Sequence, residues 1–271
     1  MFSNIYYVMD SPDYVPGLFS HFQSVIGFLN FCETECPLGF KVSFESGFYY
    51  DPDIGPNWWE YYFEPIEFGK IKEDTIIKYV ETSFKREWAY EAISTMTKER
   101  AYEIINKYIK PKQHIKNKID EFYKLNFSNY TIGVHYRGTD KIMEAPRVSF
   151  DMIRDELKKN ISDLNSYKIF IATDEQEFLN YMISQFGDNV IYTNSIRSTN
   201  GDPIHHKVNE PITPLKENMY RLGEEAVIDC YLLSKTNILI KTDSNLSSSA
   251  ININPTIPVI SLNNSYYGKL R

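Results

Sequence analysis

Short runs of apolar, β-branched and aromatic residues recur along the 271-residue chain. IYYVM (5–9), FKVSF (40–44), YTIGVHY (130–136), YKIFIAT (167–173), NVIYT (189–193), NILIK (237–241) and IPVISL (257–262) are each bounded by turn formers, as strands are. Between the later runs the apolar spacing becomes helical. SFDMIRDELKKN (149–160) opens on Ser149 as a cap, and DEQEFLNYMISQFG (174–187) carries acids in its first turn with Gly187 past its end. ENMYRLGEEAVIDCYLLSKT (217–236) sets Met219, Leu222, Ala226, Cys230 and Leu233 on one stripe. Strand alternating with helix predicts βαβ units and a parallel sheet, whose strands are buried on both faces and read as continuous apolar runs. Residues from about 125 to 271 fit that pattern. In the first half, 17–33 reads as a helix after the first strand, 49–66 as a loop rich in Pro, Gly and rings, and 74–110 as largely helical up to Pro111. The division expected is an N-terminal α/β domain, 1–118, and a C-terminal domain, 119–271.

Charge narrows the partners. The formal net charge of −7 speaks against a nucleic-acid surface, while leaving room for a local basic pocket that takes one small anion. Three cysteines, Cys32, Cys36 and Cys230, are too few and too oddly numbered for a disulfide framework and fit a reducing, cytoplasmic setting. No apolar run approaches the roughly 20 residues that span a bilayer, and the first residues lack a signal-peptide pattern. A soluble protein without a transmembrane segment is expected. The glycine fingerprints of P-loop and dinucleotide sites are absent.

The densest chemistry follows the strand at 130–136. YTIGVHYRGTDKIMEAP delivers His135, Arg137, Asp140, Lys141 and Glu144 to one sheet edge, where open parallel sheets bind their ligands. Strand alternation puts Gly133, His135 and Arg137 on one face and Val134 and Tyr136 on the other. A guanidinium there suits a phosphate or diphosphate, and Gly138 lets a ligand approach the backbone. Two further strand ends are candidates. IATDEQEF ends in Thr173 and Asp174, the latter either capping a helix or touching a ribose or base. LIKTDSNLSSSA places Thr242, Asp243, Ser244 and Asn245 before a helix, as a phosphate cradle or an ordinary capped turn. Asp229 lies beside the apolar stripe of its helix and wants a donor, from a base edge or from a structural partner.

Taken in order, HYRGTDK, IFIATDEQEFL, NSIRSTNGDPIHHK and EEAVIDCYLLSKTNILIKTDSNLSSSA resemble the inverting fucosyltransferase superfamily. The α-1,6-fucosyltransferases and the bacterial nodulation fucosyltransferases come nearest in pattern. The resemblance covers about 130 to 262. It implies a GT-B-like α/β fold of two Rossmann-like domains facing a cleft, with GDP-fucose as donor substrate and no required metal or other cofactor. It also implies that Arg137 grips the donor diphosphate, with His135, Asp229 and the hydroxyl-rich loop Thr242–Asn245 on the donor side. Glu144 matches the base one residue closer than the family spacing. Where the α-1,6 enzymes carry a second arginine, this chain has Gly138.

The chemistry needs a cation on the departing diphosphate, supplied by Arg137, and a carboxylate for the acceptor proton, Glu144 first and Asp140 second. Lys141 would orient the carboxylate or touch phosphate. The acceptor, an oligosaccharide or glycoconjugate, is assigned to the first half. There GPNWWEYYF offers Trp58, Trp59, Tyr61 and Tyr62 as sugar platforms or as core anchors, and His21 starts the first helix. Two other readings stay open: a metal-dependent glycosyltransferase using Asp51 and Asp53, and a nucleotide-sugar or glycan-binding protein without catalysis.

Overall fold

The computed structural model describes residues 4–11, 17–82, 96–139, 145–201, 204 and 215–263, the side chains of 215–218 excepted. The chain divides into two units, Met1–Lys116 with Ile212–Glu224, and Asn117–Pro211 with Glu225–Arg271.

In the first unit, β1 (Ile5–Asp10) is followed by α1 (Leu18–Glu35), β2 (Gly39–Val42), a single turn α2 (Trp59–Tyr62), β3 (Glu67–Phe68), β4 (Ile76–Glu81) and α3 (Lys98–Tyr108). The sheet order is β3-β2-β1-β4. β1 pairs in parallel with β2 and β4, and β3 runs antiparallel to β2. β1 is central, and every side chain from Ile5 to Met9 is buried, which is why it reads as an unbroken apolar run. α1 is buried from Leu18 to Leu29, so polar residues inside it, His21, Gln23 and Ser24, are carried into the core.

One expectation for this half needs correction. Residues 76–81 form an edge strand, not a helix. Ile76, Ile77 and Tyr79 are exposed while Val80 is buried, so solvent dilutes the apolar pattern that would mark a strand. Among the described residues of that region the helix is α3, capped by Thr97, whose hydroxyl accepts the Arg100 N–H. The 49–66 stretch is loop on both sides of the single turn α2. Its rings fill a core with Phe22, Phe44 and Phe63, ring centres lying 4.7 Å apart for Phe44–Trp58 and 4.5 Å for Trp59–Phe63. Asn57 pins it: its Oδ1 accepts from the Phe44 N–H (2.9 Å), and its Nδ2 donates to Val42 O (2.9 Å) and Glu60 Oε1 (2.9 Å).

Helix α4 (Gln113–Asn126) leads into the second unit, where β5 (Thr131–Tyr136), α5 (Phe150–Ile161), β6 (Lys168–Thr173), α6 (Gln176–Phe186), β7 (Val190–Ile191), α7 (Leu215–Ser234), β8 (Ile238–Lys241), α8 (Asn245–Ile253) and β9 (Val259–Ser261) follow. All five strands are parallel, in the order β7-β6-β5-β8-β9. The order therefore reverses between β5 and β8, and such a reversal opens a crevice at the carboxyl ends of the strands. Ile132, Val134 and Tyr136 of β5 share one buried cluster with Ile153 and Leu157 of α5 and Phe178, Leu179 and Met182 of α6. Gly133 faces the other way, toward the end of α7. A Cβ there would stand 2.7 Å from the Thr236 hydroxyl and 3.2 Å from Leu233, so glycine permits this close approach. Ser149 caps α5, accepting the Met152 N–H at 3.2 Å. Among the described residues no helix is long and apolar enough to cross a membrane.

Burial of His21 supplies a test of the first unit's core. Its Nδ1 lies 2.6 Å from the Thr82 hydroxyl, and burial holds the ring's pKa down at about 3, against an ordinary 6.5. Between those values the unfolded chain binds a proton that the folded chain refuses, so stability falls as pH drops from about 6.5 toward 3. The slope is at most about 1.4 kcal/mol per pH unit. His21→Phe should flatten this part of the acid slope in urea titrations between about pH 6 and pH 4. An unchanged slope would remove His21 as its source.

Candidate functional site

The carboxyl edges of β5, β6 and β8 bring together most residues that the sequence singled out in the second half. Register puts His135 beside Lys241 and Tyr136 beside Thr173. Beyond the last paired residues the chains are cross-tied. The Arg137 N–H donates to the Thr242 hydroxyl (3.0 Å), and the Thr242 N–H donates back to His135 O (3.0 Å). These two bonds continue the β5–β8 seam one residue past the sheet, so the base of the arginine is as fixed as a strand residue. His135 and Thr242 are buried, while the Arg137 side chain is 27% exposed and within reach of a ligand.

Asp174 organises the loop that follows β5. Its Oδ1 accepts the Gly138 N–H (3.1 Å), and its Oδ2 accepts the Thr139 hydroxyl (2.7 Å) and lies 3.5 Å from Arg137 Nε. The helix-cap role expected for Asp174 is corrected: its carboxylate is turned to residues 137–139. Glu175 holds the position before α6 without capping it by its side chain. The Thr173 hydroxyl accepts the Glu175 N–H (3.2 Å) and so also serves the chain itself. Glu175 is 4% exposed, which the sequence did not indicate, since it read as one of several acids in a helical first turn. Burial, before its neighbouring charges, raises its pKa.

At the end of β8 the Ser244 hydroxyl accepts the Leu246 N–H and caps α8. Asp243 offers its N–H to Asn263 Oδ1 (2.7 Å), and its carboxylate lies 3.8 Å from Lys241 Nζ. The capped-turn reading of Thr242–Asn245 therefore accounts for Ser244, and Thr242 serves the seam.

Asp229 lies elsewhere in the same unit, in α7. It accepts the Thr193 hydroxyl (2.6 Å) and the more distant Ser195 hydroxyl (3.4 Å). Burial raises its pKa to about 7, opposed by the Thr193 bond and by Arg197. Arg197 itself is tied to Ser195 O and Thr193 O. Of the two readings left open for this acid, structural pairing is the one these bonds describe. The 193–198 segment is further bound to the end of β6, where the Ser198 N–H donates to Asp174 O (2.8 Å).

Asp140, Lys141 and Glu144 lie outside the described residues. The acceptor residues expected in the first unit are corrected. Trp58 and Trp59 are each 1% exposed and Tyr62 fully buried, and Tyr61 and His21 are buried as well. Their polar atoms are used internally. Trp58 Nε1 donates to Ser46 O, Trp59 Nε1 to Glu64 O, Tyr61 Oη to Asp51 O and Tyr62 Oη to Tyr220 O. Rings enclosed on all sides offer no face to a sugar. Asp51, half of the proposed metal pair, is buried with its carboxylate accepting the Asp53 N–H (3.0 Å), as in a local turn. Among the described residues no group of three or more His, Cys, Asp or Glu side chains is arranged to hold a metal ion.

The architecture is GT-B-like, built on parallel-sheet α/β units. It is similar to that of the α-1,6-fucosyltransferase NodZ co-crystallised with GDP, at 16% identity over 94% of each chain with a TM-score of 0.63. NodZ from Bradyrhizobium matches at 15% identity, covering 96% of this chain and 97% of its own, with a TM-score of 0.60. A mutant of Arabidopsis thaliana FUT1 in complex with GDP matches at 10% identity, covering 96% of this chain and 70% of that one, with a TM-score of 0.55. At these identities the likeness is one of fold. No protein-family model matches the chain, and no curated protein matches it.

The Arg137–Thr242 bond is directly testable. Thr242→Val preserves shape but removes the acceptor of the Arg137 N–H. It should destabilise the fold by about 1–3 kcal/mol in chemical denaturation. Thr242→Ser, which keeps the hydroxyl, should recover most of that loss. Equal stability of the valine variant would show that the seam ends at His135.

Proposed function

We propose that the chain is an inverting glycosyltransferase that moves L-fucose from GDP-fucose to a hydroxyl of an oligosaccharide or glycoconjugate, without a required metal. The observation that carries this reading is Arg137, an accessible guanidinium fixed at the reversal point of a parallel sheet. Its N–H is anchored by Thr242 and its side chain is steered by Asp174. The fold likeness to proteins crystallised with GDP and, for NodZ, soaked with GDP-fucose supports the choice of donor.

In this reading the second unit carries the donor and the first unit the acceptor. As the bond to the anomeric carbon breaks, negative charge gathers on the departing diphosphate. Arg137 stabilises it, aided by backbone amides at the start of α8. The acceptor hydroxyl attacks from the opposite side and passes its proton to a carboxylate, Glu144, with Asp140 as the alternative and Lys141 as orienting cation. Attack opposite the leaving group inverts the anomeric centre. The net charge of −7 supports a small-molecule donor over a nucleic-acid partner, and three unpaired cysteines support a reducing, cytoplasmic compartment.

Arg137→Ala should abolish transfer from GDP-fucose while leaving the unfolding midpoint close to that of the parent, because the side chain is partly exposed and its backbone bond remains. Transfer at the parental rate by this variant would refute the site. Glu144→Gln should lower kcat by about 100-fold or more with little change in donor KM, the signature of a group acting in the transition state. Unaltered kcat would move the base to Asp140. Thermal stabilisation by GDP in a protein that yields no fucosylated product with any glycan acceptor would leave a binding protein in place of an enzyme.

A further inference from the structure

Beside Arg137 lies a hollow whose lining includes Gly138, Pro146, Arg147, Thr242 and Asn263. Its wall is fixed by Asn263, whose Nδ2 donates to Pro146 O (2.8 Å) while its Oδ1 takes the Asp243 N–H (2.7 Å). Two guanidiniums line this one hollow, and each is held by one of two consecutive acids. Asp174 Oδ2 is 3.5 Å from Arg137 Nε, and Glu175 Oε1 is 3.3 Å from Arg147 Nη2. Arg147 is hydrogen-bonded to the Tyr136 hydroxyl as well. The Arg147 side chain remains 54% exposed, so a ligand can reach it.

Glu175 also bears on why position 138 is a glycine. Its Oε2 is buried without a hydrogen-bond partner and occupies the space next to Gly138, where a Cβ would stand 1.8 Å away. The Tyr136 ring closes the same space at 2.6 Å. A Cβ at position 138 would force both side chains to shift, so the carboxylate that holds Arg147 disfavours a guanidinium there.

We propose that Arg147, positioned by Glu175, is a second diphosphate-binding arginine that works with Arg137 on the same nucleoside diphosphate. The inference rests on the reading of the site as a GDP-sugar site and deepens it by assigning the second cation. Two planar forks approaching one diphosphate divide its charge between them and fix its orientation.

Calorimetric titration of GDP and of guanosine into the parent, Arg147→Ala, Arg147→Lys and Glu175→Gln proteins tests it. Arg147→Ala should weaken GDP binding about tenfold and leave guanosine binding unchanged. Arg147→Lys, which keeps charge but loses the fork, should fall between. Glu175→Gln, which keeps shape but releases the tether, should weaken GDP about threefold, again without effect on guanosine. Unchanged GDP affinity in Arg147→Ala, or equal losses for GDP and guanosine, would overturn the assignment and leave the Arg137 site standing. A parent protein that binds no GDP would instead remove the underlying site, and that outcome is distinct because it appears before any variant is made. Should Arg147→Ala fail to fold, the lysine and glutamine variants carry the same comparison.

Discussion

The seam between β5 and β8 is the constraint on which the rest of the second unit depends. At this pair the strand order changes direction, and bonds beyond the last paired residues tie the two strand ends together. The exchange between Arg137 N–H, Thr242 Oγ1, Thr242 N–H and His135 O supplies that bonding. A threonine suits the position because its hydroxyl continues the ladder after the backbone has turned away. A guanidinium mounted beyond such a seam loses little further freedom on meeting an anion, which is what preorganisation requires.

Charge placement around the seam follows from the same geometry. Two acids in succession after β6 stand beside the proposed anion site, and each is directed at an arginine. Asp174 is the better solvated by hydrogen bonds, with the Gly138 N–H and Thr139 hydroxyl as donors. Glu175 is the deeper, with one oxygen unsatisfied, and burial raises its pKa. A buried carboxylate with an open lone pair is expensive in free energy and persists where surrounding structure forces it. Here the forcing elements are Gly138, Tyr136 and the start of α6, all of which the loop after β5 needs.

Much of the second unit was legible because parallel strands buried on both faces leave an apolar run that period and composition reveal. The runs at 130–136, 167–173 and 237–241 contain β5, β6 and β8. The same logic puts His135, Arg137 and Thr242 at strand ends, which is where the structure has them, since a strand that ends in charge is visible in one dimension. β4 was missed because an edge strand exposes Ile76, Ile77 and Tyr79 and mixes its signal with solvent. The Glu175–Arg147 pairing was not legible because it is relational. An acid beside a glycine 37 positions earlier, and an arginine beyond a loop, carry no local period.

The aromatic segment of the first unit shows the opposite failure, a strong signal with the wrong destination. Trp58, Trp59, Tyr61 and Tyr62 have the composition of a sugar platform, but composition does not distinguish a ring face open to solvent from one closed by other rings. The deciding residue is Asn57, whose amide accepts and donates backbone hydrogen bonds on both sides of the turn, while the two indoles pack onto Phe22, Phe44 and Phe63 and the two tyrosines onto Tyr220. A ring buried on both faces gains from area and packing, and its polar atom must then find an internal partner. All four do, through Ser46, Glu64, Asp51 and Tyr220. Complete internal satisfaction of polar atoms is therefore the more informative sign of an aromatic core. By that standard the seam cluster differs in kind, since its central guanidinium stays accessible beyond a backbone tied across the two strands.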